Sequence, residues 1–199
     1  MTSPRRIGAP DAKNRALLLD AAEQVMLEEG YAAVSSRRIA KKAGLKPPLV
    51  YYYFRTMDDL FLELFRRRAV EGLERQAELL KSPQPLRALW EFSIAAEGTA
   101  FTMEFVALAN HRKVIRAEIA DYSERFRAAQ LEIMGNMLQE YGIDPKTCPP
   151  AAALVLITSL SRVLVMEESL GVFGGHAETF ALVEEYLVRL EGERLEDTN

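Results

Sequence analysis

Apolar residues recur along this chain every three or four positions, and period-2 alternation is nearly absent. In "DAKNRALLLDAAEQVMLEEG", residues 11–30, Leu17, Leu18, Ala21, Ala22, Val25 and Met26 make one helical stripe, and Gly30 follows as a C-cap. Ser35 or Ser36 caps a short second helix that turns Ile39 and Ala40 inward and ends at Gly44. A third begins at the prolines of "LKPPLVYYYF", residues 45–54, with Pro47 and Pro48 at the first two helical positions. Neither position needs its N–H there, so these prolines start a helix rather than stop one. Lys46 is pushed out of the α region and belongs to the turn. Thr56 and Asp59 have capping-box spacing ahead of a fourth helix whose inner face carries Leu60, Leu64 and Ala69.

"SPQP", residues 82–85, breaks that helix. "LRALWEFSIAAEG" predicts another with Gly98 near its end, and "TAFTMEFVALAN" a further short one. A long amphipathic stretch runs from about Lys113 to Tyr141 and stops at Gly142. After the loop "GIDPKTCPP", Pro149 and Pro150 open an apolar helix, "GVFGG" turns the chain, and "HAETFALVEEYLVRLEGE" forms the last helix. The expectation is an all-α protein of about nine helices. An N-terminal three-helix domain spans 1–57, with 1–11 a flexible arm, and a larger helical bundle spans 58–199.

Composition narrows the class. Hydrophobic residues make up 49% and charged residues 27%, the balance of a soluble globular protein. The single cysteine, Cys148, cannot form an internal disulfide, which points to a reducing compartment. The stretch Ala151–Leu160 is too short to span a bilayer, and "MTSPRRIGAP" has no apolar segment behind its arginines. A cytoplasmic location without membrane contact is expected. The net charge of −4 hides an asymmetry: residues 1–57 hold ten Lys/Arg against five Asp/Glu, or +5, which leaves −9 for the rest. A basic head on an acidic body points to a polyanion partner for the head.

Two short helices joined at Gly44 match a helix-turn-helix, whose second helix lies in the DNA major groove. Tyr51, Tyr52 and Tyr53 spread around that helix at about 100° per residue, so they cannot all be core. Leu49 or Val50 and Phe54 are the better buried candidates. A tyrosine ring packs on sugars and thymine methyls while its hydroxyl bonds a phosphate.

The run "RALLLDAAEQVMLEEGYAAVSSRRIAKKAGLKPPLVYYYFRTMDDL" resembles the DNA-binding domain of the TetR family of bacterial transcriptional regulators. The resemblance is carried by the "AA" of the first helix, the Gly30-Tyr31 step, "IAKKAGL", and "VYYYF" before a capped fourth helix. It implies that Ser36 and Arg37 touch backbone or groove. It places Lys46, Pro47, Pro48, Leu49 and Tyr51 nearest base edges, and Tyr52, Tyr53 and Thr56 at phosphates. The chain departs from the family pattern twice. Lys46-Pro47-Pro48 stands where a small hydroxyl residue and a Lys-Gly pair are common, which removes backbone donors. Met57 stands where a phosphate-binding lysine is common. Arg5 and Arg6 of the arm could compensate by reaching an adjacent minor groove.

The same resemblance implies that the acidic body binds a small-molecule effector and forms a homodimer, so that two reading heads meet a palindromic operator in double-stranded DNA. Candidates for a dimer seam are Leu154, Ile157, Leu160, Leu164 and Glu168 on the penultimate helix and Phe180, Val183, Tyr186 and Leu187 on the last. Candidates for a largely apolar pocket are Trp90, Phe101, Met103, Phe105, Tyr122, Phe126, Met134, Met137 and Met166, with Ser93, Thr102, Asn110, His111, Ser161 and Arg162 as polar members. The expected function is a repressor released from its operator by a hydrophobic ligand. A helix-turn-helix protein answering to a protein partner, or acting as an activator, is the alternative.

An enzyme is not indicated. His111 and His176 lie far apart, and neither follows a Glu at Glu-x-x-His spacing. The chain has no glycine-rich phosphate loop and no Cys-x-x-Cys pair, and Cys148 has Lys146 as its one basic neighbour. No metal, cofactor or catalytic residue is expected.

Overall fold

A computed structural model describes residues 13–195. Among them the chain forms nine α-helices, one short 3-10 turn and no strand. The helices are α1 (Lys13–Glu29), α2 (Ser36–Lys42), α3 (Pro48–Tyr53), α4 (Met57–Leu79), α5 (Pro85–Ser93), α6 (Ala96–His111), α7 (Lys113–Glu140), α8 (Pro150–Ser169) and α9 (His176–Glu191). The arm with Arg5 and Arg6 lies outside the described residues.

Two compact units are present. The first takes the chain up to Gly72 together with Ala100–Asp121, and the second takes Leu73–Thr99 and the chain from Tyr122 onward. This division does not follow the 57/58 boundary drawn from the sequence. It falls within α4, α6 and α7, because most of α6 and the start of α7 share the core of the helix-turn-helix.

That core is built from α1 residues Leu18, Leu19, Ala22, Val25 and Met26, with Ile39, Ala40, Val50 and Phe54, then Leu60, Phe61 and Leu64. Phe101, Phe105, Leu108 and Ile115 complete it. The stripe on α1 differs at one place from the expected one: Leu19 is buried and Leu17 is 37% exposed. Periodicity alone does not choose between adjacent leucines at the edge of a stripe. Ion pairs tie α1 to α4. Arg67 bonds Asp20 at 2.6 Å and Glu23 at 2.7 Å, Arg68 meets Glu23 at 3.0 Å, and Arg15 meets Glu63 at 2.9 Å. Gly30, at φ +82°, leads into the 3-10 turn Tyr31–Ala33. There the Tyr31 N–H donates to the Glu104 carboxylate at 2.6 Å, and the Tyr31 ring stacks on His111.

In the second unit, Leu86, Trp90, Met137, Leu164 and Leu187 form one cluster, and Met134, Leu138, Ala153 and Leu154 form another. Glu191 near the end of α9 caps the start of α5, accepting from the Leu86 N–H at 2.7 Å and the Arg87 N–H at 3.0 Å. It also accepts from the Tyr141 hydroxyl at 2.6 Å, and burial together with this bond pushes that hydroxyl well above its ordinary pKa. Gly98 does not end α5. That helix stops at Ser93, and Gly98 sits in the first turn of α6.

Candidate nucleic-acid interface

The reading head is shaped by local rules. Ser35 is the N-cap of α2, and its hydroxyl accepts from the Arg38 N–H at 3.4 Å. The end of α2 closes in a Schellman arrangement. The Leu45 N–H donates to the Ala40 carbonyl at 2.8 Å and the Gly44 N–H to the Lys41 carbonyl at 3.3 Å. Gly44 takes φ +66°, a conformation glycine adopts without penalty. Leu45 packs on the core and sets the angle at which the chain leaves. Pro47 stands at the cap and Pro48 opens α3, one residue later than expected. Val50 and Phe54 anchor α3 in the core at 1% and 3% exposure.

With α3 anchored there, Tyr51 and Tyr52 point outward, 52% and 48% exposed. Tyr53 is half-buried against the core, and its ring meets that of Tyr52 edge-on at 5.0 Å. Ser36, Arg37, Pro47, Pro48, Tyr51 and Tyr52 line one open concavity of about 690 Å³. Six of the ten residues expected at DNA thus share one surface. Lys46 is exposed beside it and Leu49 is half-buried. Thr56 lies at the start of α4, where the capping box forms as expected: the Thr56 N–H donates to Asp59 and the Asp59 N–H to the Thr56 hydroxyl, both at 3.0 Å. That hydroxyl accepts this bond and keeps its own proton free to donate.

Charge sorts the basic residues further. Arg38 pairs with Glu29 and Lys42 with Glu28, so α1 occupies both. Arg37, Lys41, Lys46 and Arg55 are exposed and have no ion-pair partner among the described residues. Lys41 and Arg55 were not expected at the interface. Lys41 was legible, since it stands four residues from Arg37 and shares its face. Met57 adds no cation at the start of α4. Arg112 pairs with Asp58 there and offsets a carboxylate that would repel a phosphate.

The residues expected in a pocket fall into both units. Phe101 and Phe105 belong to the core of the first, with ring centroids 4.6 Å apart, and Met103 between them is 40% exposed. In the second unit Tyr122 and Phe126 stack at 5.8 Å, and Trp90 meets Phe180 edge-on at 6.2 Å. Met134 and Met137 are buried in separate clusters, Met166 is half-buried and Arg162 is exposed. The polar candidates are occupied in part: the Ser93 hydroxyl donates to the Trp90 carbonyl, and the Ser161 hydroxyl to that of Thr158.

The seam candidates also divide. Leu154, Leu164 and Leu187 are core residues, and Ile157, Leu160 and Val183 pack against them. Phe180 and Tyr186 are exposed. Val155, Leu156 and Val163 on α8 and Leu182 on α9 are exposed apolar residues that the sequence pattern did not single out. No group of three His, Cys, Asp or Glu is placed to hold a metal ion among the described residues.

Residues 18–64 match the family model "Bacterial regulatory proteins, tetR family". The chain is 34% identical over 64 residues to the fatty acid metabolism regulator protein of Bacillus subtilis, covering 32% of this chain and 33% of the relative. It is 29% identical over 136 residues to the HTH-type transcriptional repressor BepR of Brucella suis, covering 65% of each. The chain therefore spans about a third of the length of the first and about two thirds of the second. The fold matches a transcriptional regulator of Saccharomonospora viridis crystallised with choline, at TM-score 0.69 and 18% identity, over 87% of this chain and 94% of that one. These relatives are transcriptional regulators.

Proposed function

We propose that this chain, a TetR family regulator by its N-terminal domain and its fold, is a homodimeric repressor that leaves a palindromic operator when a largely apolar small molecule binds its body. One observation carries the DNA-binding part: Ser36, Arg37, Pro47, Pro48, Tyr51 and Tyr52 form one exposed surface beside cations that pair with no carboxylate among the described residues. Arg37, Lys41, Lys46 and Arg55 supply the phosphate attraction, the tyrosine hydroxyls and Thr56 fix the register, and the start of α3 meets the bases. The domain division 1–57 and 58–199 is proposed as a division of labour, with residues 58–199 serving ligand and partner.

Dimerisation is supported by α8 and α9. By length and composition α8 is apolar enough to cross a membrane, yet little of it is buried within this chain. Its exposed Val155, Leu156 and Val163, with Leu182 and Tyr186 of α9, need a cover. A second copy provides one and holds two heads at half-sites about one helical turn apart. The ligand part is supported by the aromatic pairs Tyr122–Phe126 and Trp90–Phe180, and by the choline held by the Saccharomonospora viridis regulator, a small organic ligand in a protein of this fold. Such a regulator works in the cytoplasm.

Selection of bound duplexes from a randomised pool, followed by footprinting, tests the reading. Two inverted half-sites protected by a dimer are expected. An unstructured enrichment, or protection by a monomer, would count against it.

A further inference from the structure

Major-groove base edges present hydrogen-bond donors, acceptors and one apolar group, the 5-methyl of thymine. The segment that begins α3 is poor in free donors. Pro47 and Pro48 have no N–H. The next two N–H groups are engaged, Leu49 with the Lys46 carbonyl at 3.0 Å and Val50 with the Pro47 carbonyl at 3.1 Å. Four consecutive backbone positions therefore offer no donor to a base or a phosphate.

What they offer is hydrocarbon. Both pyrrolidine rings are exposed and line the concavity with the outward rings of Tyr51 and Tyr52. Arg37 is the one charged residue in the lining and Ser36 adds a hydroxyl. The surface combines these apolar rings with polar groups and a cationic edge. Its complement is an apolar group carried on a polyanion. The prolines also hold their φ angles by covalent constraint, so docking orders no flexible backbone at this place.

We infer that Pro47, Pro48 and Tyr51 read the operator by packing on thymine 5-methyl groups, a mode of specificity that rests on the DNA-binding reading above. Arg37, with its forked donors, is left to contact a guanine or a phosphate at the edge of the same step. Hydrogen-bond readout moves away from the start of α3 and onto side chains.

Replacing a thymine by uracil removes this methyl and leaves the base pair otherwise unchanged. Each thymine of the selected operator is replaced in turn, and affinity is measured for the full-length wild-type protein and for Pro47→Ala, Pro48→Ala, Tyr51→Ala and Tyr51→Phe. Circular dichroism and melting confirm that each variant is folded. At least one thymine per half-site should show a loss of about fourfold on conversion to uracil, the worth of one buried methyl. The loss should shrink to under about twofold in Pro47→Ala, Pro48→Ala or Tyr51→Ala, where the packing partner is gone. Tyr51→Phe keeps the ring and should keep the loss. Sequence-specific binding with no thymine sensitive to uracil would overturn the inference and leave the regulator reading standing. So would a uracil penalty identical in wild type and all three alanine variants. Failure to bind any sequence at low salt would sink both.

Discussion

Replacing Phe105 by alanine separates a core residue from a pocket residue. Phe105 is 1% exposed and its ring lies 4.6 Å from that of Phe101 and 5.4 Å from that of Phe65. Burying a phenylalanine removes about 150–200 Å² of apolar surface from water. At about 25 cal/mol per Å² this is worth roughly 4–5 kcal/mol, and measured Phe→Ala losses in cores run about 3–5 kcal/mol. Met103, two residues away, is 40% exposed, and its truncation should cost about 1 kcal/mol or less. Urea unfolding by far-UV circular dichroism reports total helix, while fluorescence of the single tryptophan, Trp90, reports the second unit. Phe105→Ala should shift the circular dichroism transition by about 3–5 kcal/mol and lower the melting temperature by roughly 10 °C. Operator binding should fail in step with unfolding of the helix-turn-helix, which shares this core. A loss under about 1 kcal/mol, or one no larger than that of Met103→Ala, would mean that Phe105 faces open space, and the core assignment would be wrong.

Other changes probe the interface and the body. Arg37→Ala should weaken operator binding and lower the slope of log affinity against log salt by about 1, and an unchanged slope would remove Arg37 from the phosphate contacts. If its hydroxyl meets a phosphate as proposed, Tyr52→Phe should weaken binding about equally across operator sequences, and a loss confined to one base position would contradict that role. Leu182→Glu, on the exposed face of α9, should shift sedimentation from dimer to monomer while the helical content stays, and a dimer of unchanged affinity would place the seam elsewhere. The hydrogen bond from Arg87 holds the Glu184 carboxyl below its usual range. Its contribution is present above the ordinary carboxylate pKa and is lost as the pH falls toward the depressed value. Glu184→Gln should therefore lose less stability than wild type as the pH falls below about 5, and parallel acid curves would show that the pair adds nothing.

Much of the reading head was legible because it is built from contacts within a few residues. The serine cap of α2, which falls to Ser35 of the two serines read as candidates, the Thr56–Asp59 box, the close of α2 at Gly44 and the proline start of α3 are all local. Phe54, Ile39 and Ala40 were placed on the inner face and are buried, and the open choice between Leu49 and Val50 falls to Val50. The spread of three tyrosines around one helix followed from its pitch. The body was less legible. Its helices are long and apolar on more than one side, and the pattern on a helix says which residues leave water but not what they meet.

The amino-acid sequence by itself determined the all-helical class, the helix-turn-helix and the residues that start and stop most helices. These depend on backbone conformation and on partners three or four residues away. The tertiary structure decided which cations remain free. Arg37 and Arg38 are neighbours of the same type, and only the approach of Glu29 from α1 takes Arg38 out of the interface. It also decided that Phe101 and Phe105 complete the core of the reading head while Met103 between them faces outward. The first depends on two neighbouring helices meeting across a short turn, the second on groups far apart in the chain, brought together only when packing has offset the entropy of closing the loops between them.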